Sequence, residues 1–431
     1  MTTTTNNEHK KLNFSSEREQ SQACLNSAEH EKNQGRKVLN VPNKREQNQT
    51  CLDSAEREGL CPKGNVPNLR FPEFQGEWEE YRIEDITENI SSGRCKSRSS
   101  NGKYNLYGST GIIGKTNEAC YEGNLVLVAR VGANAGSLQI LNEPCGITDN
   151  TLIIKPKEVD VQYIYYFLQH FNLNRLIFGS GQPLITGGML KKVKVSLGTI
   201  QEQNKITRLL SILDERITTQ NKIIEDLKKL KSAIIDYAIN SLDSGFVKFG
   251  SLYEMAGEGG TPTTSNASFY DKGKIPFIKI DDLKKKYLTE NKDFITELGL
   301  QKSSAWLVPT HSILFSNGAT IGEITITTYP VCTKQGILGI VPKENIDVEF
   351  LYYFMSSSYF KKAVSRIVTE GTMKTAYLKD INNILCPIPT KEKQQEIAKI
   401  PSALNSKIDF EQSILKLFCS QKQYLLRQMF K

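Results

Sequence analysis

EVDVQYIYYFLQHF, residues 158 to 171, carries five aromatics in fourteen positions: Tyr163, Tyr165, Tyr166, Phe167 and Phe171. Such a run can stack unpaired bases on open rings, or it can pack a helix onto a sheet. Ile164, Phe167, Leu168 and Phe171 fall at helical spacing, which draws one apolar stripe and points to core. The stretch also returns. ENIDVEFLYYFMSSSYF (344 to 360) matches Asp160-Val161 with Asp347-Val348, and Tyr165-Tyr166-Phe167 with Tyr352-Tyr353-Phe354. Leu351, Phe354 and Met355 keep the same apolar face.

The repeat extends in both directions. Upstream, GNLVLVARVGANAG (123 to 136) pairs with THSILFSNGATIG (310 to 322), each a strand-length apolar run ending in small, Gly-rich residues. Downstream, TIQEQNKITRLLSILDERI (199 to 217) pairs with TKEKQQEIAKIPSALNSKI (390 to 408). The offset creeps from 186 to 191, as small loop insertions between two copies require. The expected fold class is therefore α+β: two similar domains of mixed sheet with helices, alternating with two long helices.

Thr199 can cap the first long helix, with Glu202 completing a capping box. A heptad seam follows at Ile206, Leu210, Leu213, Ile217, Ile224, Leu227 and Ile234, interrupted by Gln220 and Lys231. The second copy runs through Ile397, Leu404, Ile408, Leu415, Phe418 and Leu425. At about 40 residues each helix is about 60 Å long, and a helix of that length with an apolar seam needs a partner. The obvious partner is the other copy, packed antiparallel about a pseudo-two-fold. Lys391 to Lys393 and Pro401 are expected to bend the second helix or delay its start.

Composition bounds the rest. The 431 residues are 39% hydrophobic and 24% charged, enough for two or three soluble domains, and no apolar run approaches a membrane span. The N-terminus lacks the apolar core of a secretory signal. Nine scattered cysteines without a CxxC pair point to reduced thiols in a cytoplasm, not to zinc or disulfides. Residues 1 to 68 are polar and repeat CLNSAEHE (24 to 31) as CLDSAERE (51 to 58), which predicts disorder. They hold ten Lys and Arg against nine Asp and Glu, so +7 of the +8 net charge falls on the remainder. That balance permits a polyanionic partner.

Catalytic patterns are missing. GSTGIIGKT (108 to 116) imitates a phosphate-binding loop, but Ser109 stands where the motif needs Gly, and turn-like NEACYEGN follows where a helix should start. His9, His30, His170 and His311 have no apparent nucleophile or carboxylate partner. Neither a metal site nor a cofactor loop is expected.

The basic, polar loops say more. ISSGRCKSRSSNGKYNLYGSTG (90 to 111) intersperses Arg94, Lys96, Arg98 and Lys103 with Tyr104, Tyr107, Ser109 and Thr110. Its counterpart, residues 257 to 282, carries Thr261, Thr263, Thr264 and Lys279. Arg130 and Asn134 follow the first apolar strand, Asn317 and Thr320 the second, and Arg130 is expected opposite Ser316. FGSGQPLITGGMLKK (178 to 192) adds Gln182 and Thr186; VTEGTMKTAYLKD (368 to 380) adds Thr372, Lys374 and Thr375. Lys and Arg suit phosphates and guanine edges, Asn and Gln suit adenine, and Thr offers a hydroxyl or methyl contact.

In order and in plan, residues 65 to 431 resemble the DNA-specificity subunit of type I restriction–modification systems. VPNLRFPEFQGEW (66 to 78), YGSTGIIG (107 to 114), TIQEQNKI (199 to 206) and LFCSQKQYLLRQMF (417 to 430) carry the resemblance. It implies target-recognition domains at 69 to 198 and 244 to 389, each reading half of a split double-stranded DNA target, and long helices at 199 to 243 and 390 to 431. The helices act as a spacer and dock two methyltransferase subunits; Leu210, Leu213, Ile217, Ile224 and Leu227 would form that seam with Leu404, Ile408, Leu415 and Phe418. A restriction and translocase subunit completes the complex. S-adenosylmethionine, ATP and Mg²⁺ are expected on those partners, and this chain is expected to be non-catalytic. The other readings are a coiled-coil scaffold that binds no DNA and a nucleotide hydrolase using residues 108 to 116.

Overall fold

Both copies of the aromatic stretch fold as helices, α1 (Val161–Phe171) and, later in the chain, a shorter equivalent at Val348–Ser356. An aspartate caps each one: Asp160 accepts from the Tyr163 N–H (2.8 Å) and Asp347 from that of Phe350 (2.9 Å). Tyr163, Ile164, Phe167 and Leu168 are buried, as are Phe350, Leu351, Phe354 and Met355. The run of rings is core. The computed structural model describes residues 64–95, 99, 101–177, 183–318, 320–368 and 374–431. The tail expected to be disordered thus lies, up to residue 63, outside the described residues. Asn65 already belongs to the compact unit, ahead of the boundary expected at 69. Its amide donates to the Trp78 carbonyl (2.6 Å) and accepts from the Ser196 hydroxyl (3.0 Å).

The first sheet is built from β1 (Thr87–Ser92), β2 (Leu125–Ala129), β3 (Leu138–Leu141) and β4 (Thr151–Pro156), in the order β1-β4-β2-β3. The second uses β5 (Tyr253–Glu258), β6 (Tyr287–Leu288), β7 (Ile313–Ser316), β8 (Ile324–Thr327) and β9 (Ile337–Pro342), in the order β5-β9-β7-β8-β6. Apart from the added β6, which joins in parallel, the strand order is the same. A three-stranded sheet with one parallel pair accompanies each, through Tyr104–Gly108 with Cys145–Ile147 and through Ile275–Ile278 with Cys332–Thr333. Among the described residues no helix is long and apolar enough to cross a membrane.

The long helices are α2 (Ile200–Asn240) and, after the Val348–Ser356 helix (α3), α4 (Lys391–Met429). Each starts on its own module and ends in the core of the other. Ile206, Leu210 and Leu213 of α2 lie in the first core, whereas Ile235 and Ile239 lie in the second. In α4, Ala398 belongs to the second core, while Leu425, Leu426, Met429 and the following Phe430 belong to the first. Leu210 and Leu213, expected in the seam between the long helices, are therefore part of the first module's core. Ile224 and Ile408 are buried between them, and Ile217, Leu227, Leu404, Leu415 and Phe418 are half-buried. At the far end of α2 the buried position is Ile235, one residue past the seam position Ile234, because there the helix turns its face to a sheet.

Two local expectations need correction. Thr199 caps α2 by accepting from the Glu202 N–H (3.3 Å), but Glu202 does not return the contact. Its buried carboxylate instead accepts from Arg70 (2.7 and 2.9 Å) and from the Trp78 indole (3.0 Å). Nor do Lys391 to Lys393 delay α4, which begins at Lys391, and Pro401 sits inside the helix on its buried side. Packing of the neighbouring Ala398 in the second core holds the turn that lacks one N–H.

A glutamine latch recurs in both modules. Gln203 donates to the Gly198 carbonyl (2.9 Å) and accepts from the Asp160 N–H (3.2 Å); Gln394 donates to Pro389 (2.9 Å) and accepts from Asp347 (2.8 Å). Both are buried, so each ties the start of a long helix to the cap of the aromatic helix. Gln203→Leu and Gln394→Leu should each cost about 1–3 kcal/mol in urea unfolding, because each strands buried backbone groups. A loss under about 0.5 kcal/mol would mean that water reaches the latch.

Candidate nucleic-acid interface

The central strands β2 and β7 end in the same backbone frame. Arg130 donates its N–H to the Asn150 carbonyl (2.9 Å), and its carbonyl accepts from Ile185 (2.9 Å). Asn317 repeats this with Gly336 (3.0 Å) and Ala376 (2.9 Å). The partner of Arg130 is thus Asn317, not Ser316, whose hydroxyl is spent on the Thr320 carbonyl and the Glu323 N–H. Each frame opens onto a Gly-rich turn that needs left-handed backbone, at Gly132 (φ +77°) and Gly136 (φ +88°) in the first and Gly322 (φ +107°) in the second.

Around these turns the side chains divide. Arg94, Lys103, Thr110, Asn134, Thr263, Thr264, Thr320 and Lys374 are exposed, and Tyr104, Ser109, Arg130 and Thr375 are half-buried. Lys103 lies 5.3 Å from the centre of the Tyr104 ring. Lys96, Arg98, Gln182 and Thr372 lie outside the described residues.

Others have structural work. Tyr107 is buried and its hydroxyl donates to Glu143 (2.6 Å), so it braces the loop instead of facing a ligand. Burial and that carboxylate push its phenol up to about 12. Asn317 is also buried, its amide donating to the Ala376 carbonyl (3.3 Å) while its Oδ1 has no partner among the described residues. Thr186 caps the short helix Gly187–Lys191, Thr261 accepts from the Gln335 N–H (3.3 Å), and Lys279 pairs with Asp293 (2.8 Å).

GSTGIIGKT is a hairpin, with Gly108 paired to Gly111 and Lys115 to Asn105. Phosphate binding of the expected kind needs a helix opening there, and strand Gly111–Thr116 takes its place. The hairpin exposes Ile112, and Gln139 of β3 donates to the Gly108 carbonyl (3.0 Å) to hold its tip. Neither residue stood out in the sequence, since a lone Ile and a strand Gln carry no periodic signal.

A family model described as the type I restriction modification DNA specificity domain matches residues 75–229 and 242–417. The putative type I restriction enzyme MjaX specificity subunit of Methanocaldococcus jannaschii is 26% identical over 288 residues, 61% of this chain and 66% of that one. The MjaVIII specificity subunit of the same organism is 25% identical over 382 residues, 80% of this chain and 89% of that one. In fold, the chain is similar to the type I restriction–modification S subunit from M. genitalium (TM-score 0.56, 18% identity, 85% of this chain and 99% of that one). The matched pieces are the two modules with their long helices, and the chain belongs to the type I restriction–modification DNA specificity family.

Proposed function

We propose that this chain is the DNA-reading, non-catalytic subunit of a type I restriction–modification complex. Its two recognition modules (69 to 198 and 244 to 389) each read half of a split duplex target, and α2 and α4 pair as a coiled coil that sets the gap. The observation that carries this is one repeated frame bearing different polar loops, which suits two half-sites of different sequence.

A pseudo-two-fold relation is supported by the contacts between α2 and α4. Gln220 and Glu411, 191 residues apart, bond to each other. Under the same offset the pair Lys422–Asp214 (2.6 Å) exchanges with Lys231–Asn405 (2.9 Å). As α2 residue numbers rise the α4 partners fall, as in an antiparallel pair. Such a spacer converts helix length into half-site separation.

Docking of two methyltransferase subunits fits the surface of this pair. Ile223, Leu230 and Tyr237 on α2, and Phe410, Leu417 and Tyr424 on α4, are exposed at heptad intervals. In an antiparallel pair these positions come to one face. S-adenosylmethionine, ATP and Mg²⁺ belong, on this reading, to the partner subunits.

Exchange of residues 69 to 198 for the corresponding module of another system tests the reading. Adenine methylation mapped across a host genome should change in one half-site only, with the other half and the gap kept. Changes in both halves would sink the modular plan.

A further inference from the structure

Resting on that reading, we propose that Asp214 and Lys422 are positioning residues that fix the angle between the first recognition module and the spacer, and with it the single gap length the protein accepts. Asp214 of α2 joins three elements. Its Oδ2 accepts from the Tyr166 hydroxyl of α1 (2.8 Å), and its Oδ1 accepts from Lys422 Nζ of α4 (2.6 Å). Lys422 Nζ also lies 5.2 Å from the centre of the Tyr166 ring, so the cation touches both of the other groups. Lys422 and Asp214 are 15% and 34% exposed, enough shielding for a charge-assisted bond to hold its geometry.

The second module lacks this three-way tie among the described residues. Asn405 and Lys231, the equivalents of Asp214 and Lys422, bond to each other. Tyr353, the equivalent of Tyr166, turns instead to Ser402 (3.1 Å) of its own long helix and to Lys286 (2.8 Å), beside β6. A single carboxylate links the aromatic helix to both long helices in the first module alone. Asn405 also demonstrates that an amide at this place keeps the helix pair together, so Asp214→Asn removes the charge without removing the spacer.

Leverage makes the tie matter. A domain of this size puts its reading face about 20 Å from the joint, where a rotation of about 10° displaces it by about one 3.4 Å base-pair step. Loosening the joint should therefore widen the accepted gap without altering either half-site.

The test is methylome mapping by single-molecule sequencing, in cells that express the complete modification complex with wild-type chain, Asp214→Asn, Lys422→Met or Tyr166→Phe. The wild type should mark one bipartite target at one gap. The variants should mark the same half-sites at that gap and also at a gap about one base pair longer or shorter. A variant that keeps the single gap, with or without weaker methylation, overturns the proposal, because weakened folding lowers occupancy without changing the gap. Altered half-site sequences would overturn it too. If the wild type marks no bipartite target, the reading beneath it fails instead.

Discussion

Phe430→Ala should destabilise the first module by about 3–5 kcal/mol, the cost of emptying an aromatic site in a packed core. Phe430 follows α4, about 260 residues along the chain from the aromatic helix it packs against, yet only 3% of it is exposed. Its ring meets Tyr163 at 5.0 Å, stacks on His170 at 5.9 Å and touches Phe167 at 6.4 Å between centres. Phe410→Ala is the control: the same residue type on the same helix, but 59% exposed, where surface truncation costs less than about 0.5 kcal/mol. Urea unfolding followed by near-ultraviolet circular dichroism compares the two. Equal losses would show that Phe430 is not seated in that core.

The same contact carries a pH dependence. Burial, and secondarily Arg175, lowers the His170 pKa below its ordinary value, and among the described residues its Nδ1 has no hydrogen-bond partner. The unfolded chain therefore takes up the proton first. The contribution of neutral His170 is complete above the unfolded pKa of about 6.5 and is lost as pH falls below it. His170→Gln should flatten that acid-side loss, which sets in as pH falls through about 6.5.

The periodic parts of this molecule were legible in the sequence. The aromatic runs after Asp160 and Asp347 announced two helices and hence two modules, because helical spacing is a local signal; the capping role of the two aspartates emerged only from the structure. The seam was legible except where its environment changes, as at Ile235. Less could be read at the candidate interface. Tyr107 looked like a loop tyrosine, but its partner Glu143 lies 36 residues away, and no local pattern reports a contact of that range. Asn317 and Arg130 were assigned by residue type, whereas their equivalence rests on backbone bonds to Ala376 and Ile185. Glu202 had a capping role by pattern and a different one by packing, since Arg70 and Trp78 compete for the same oxygens. Pro401 neither ends nor delays α4, because Ala398 beside it packs into the core of the second module.

Glu349→Ala should be the second large loss, about 3–5 kcal/mol, because it strands a buried cation. The Lys286 side chain is 2% exposed and Glu349 24%. The ammonium group contacts the Glu349 carboxylate, the Tyr353 hydroxyl (2.8 Å) and the Ser402 hydroxyl (3.0 Å), and lies 4.6 Å and 4.8 Å from the ring centres of Tyr353 and Tyr287. Hydroxyls and ring faces soften the charge but do not neutralise it. Glu349 also stands in the first turn of α3, where the helix dipole favours an acid. Removing both charges is a different matter. Lys286→Met with Glu349→Leu should stay within about 1–2 kcal/mol of the wild type, since two desolvation costs vanish together with one attraction. A double-mutant cycle in urea therefore separates the joint from mere packing. Strong coupling, with the double variant more stable than Glu349→Ala alone, is the expected result. A cost for Glu349→Ala below about 1 kcal/mol would mean that Lys286 reaches water.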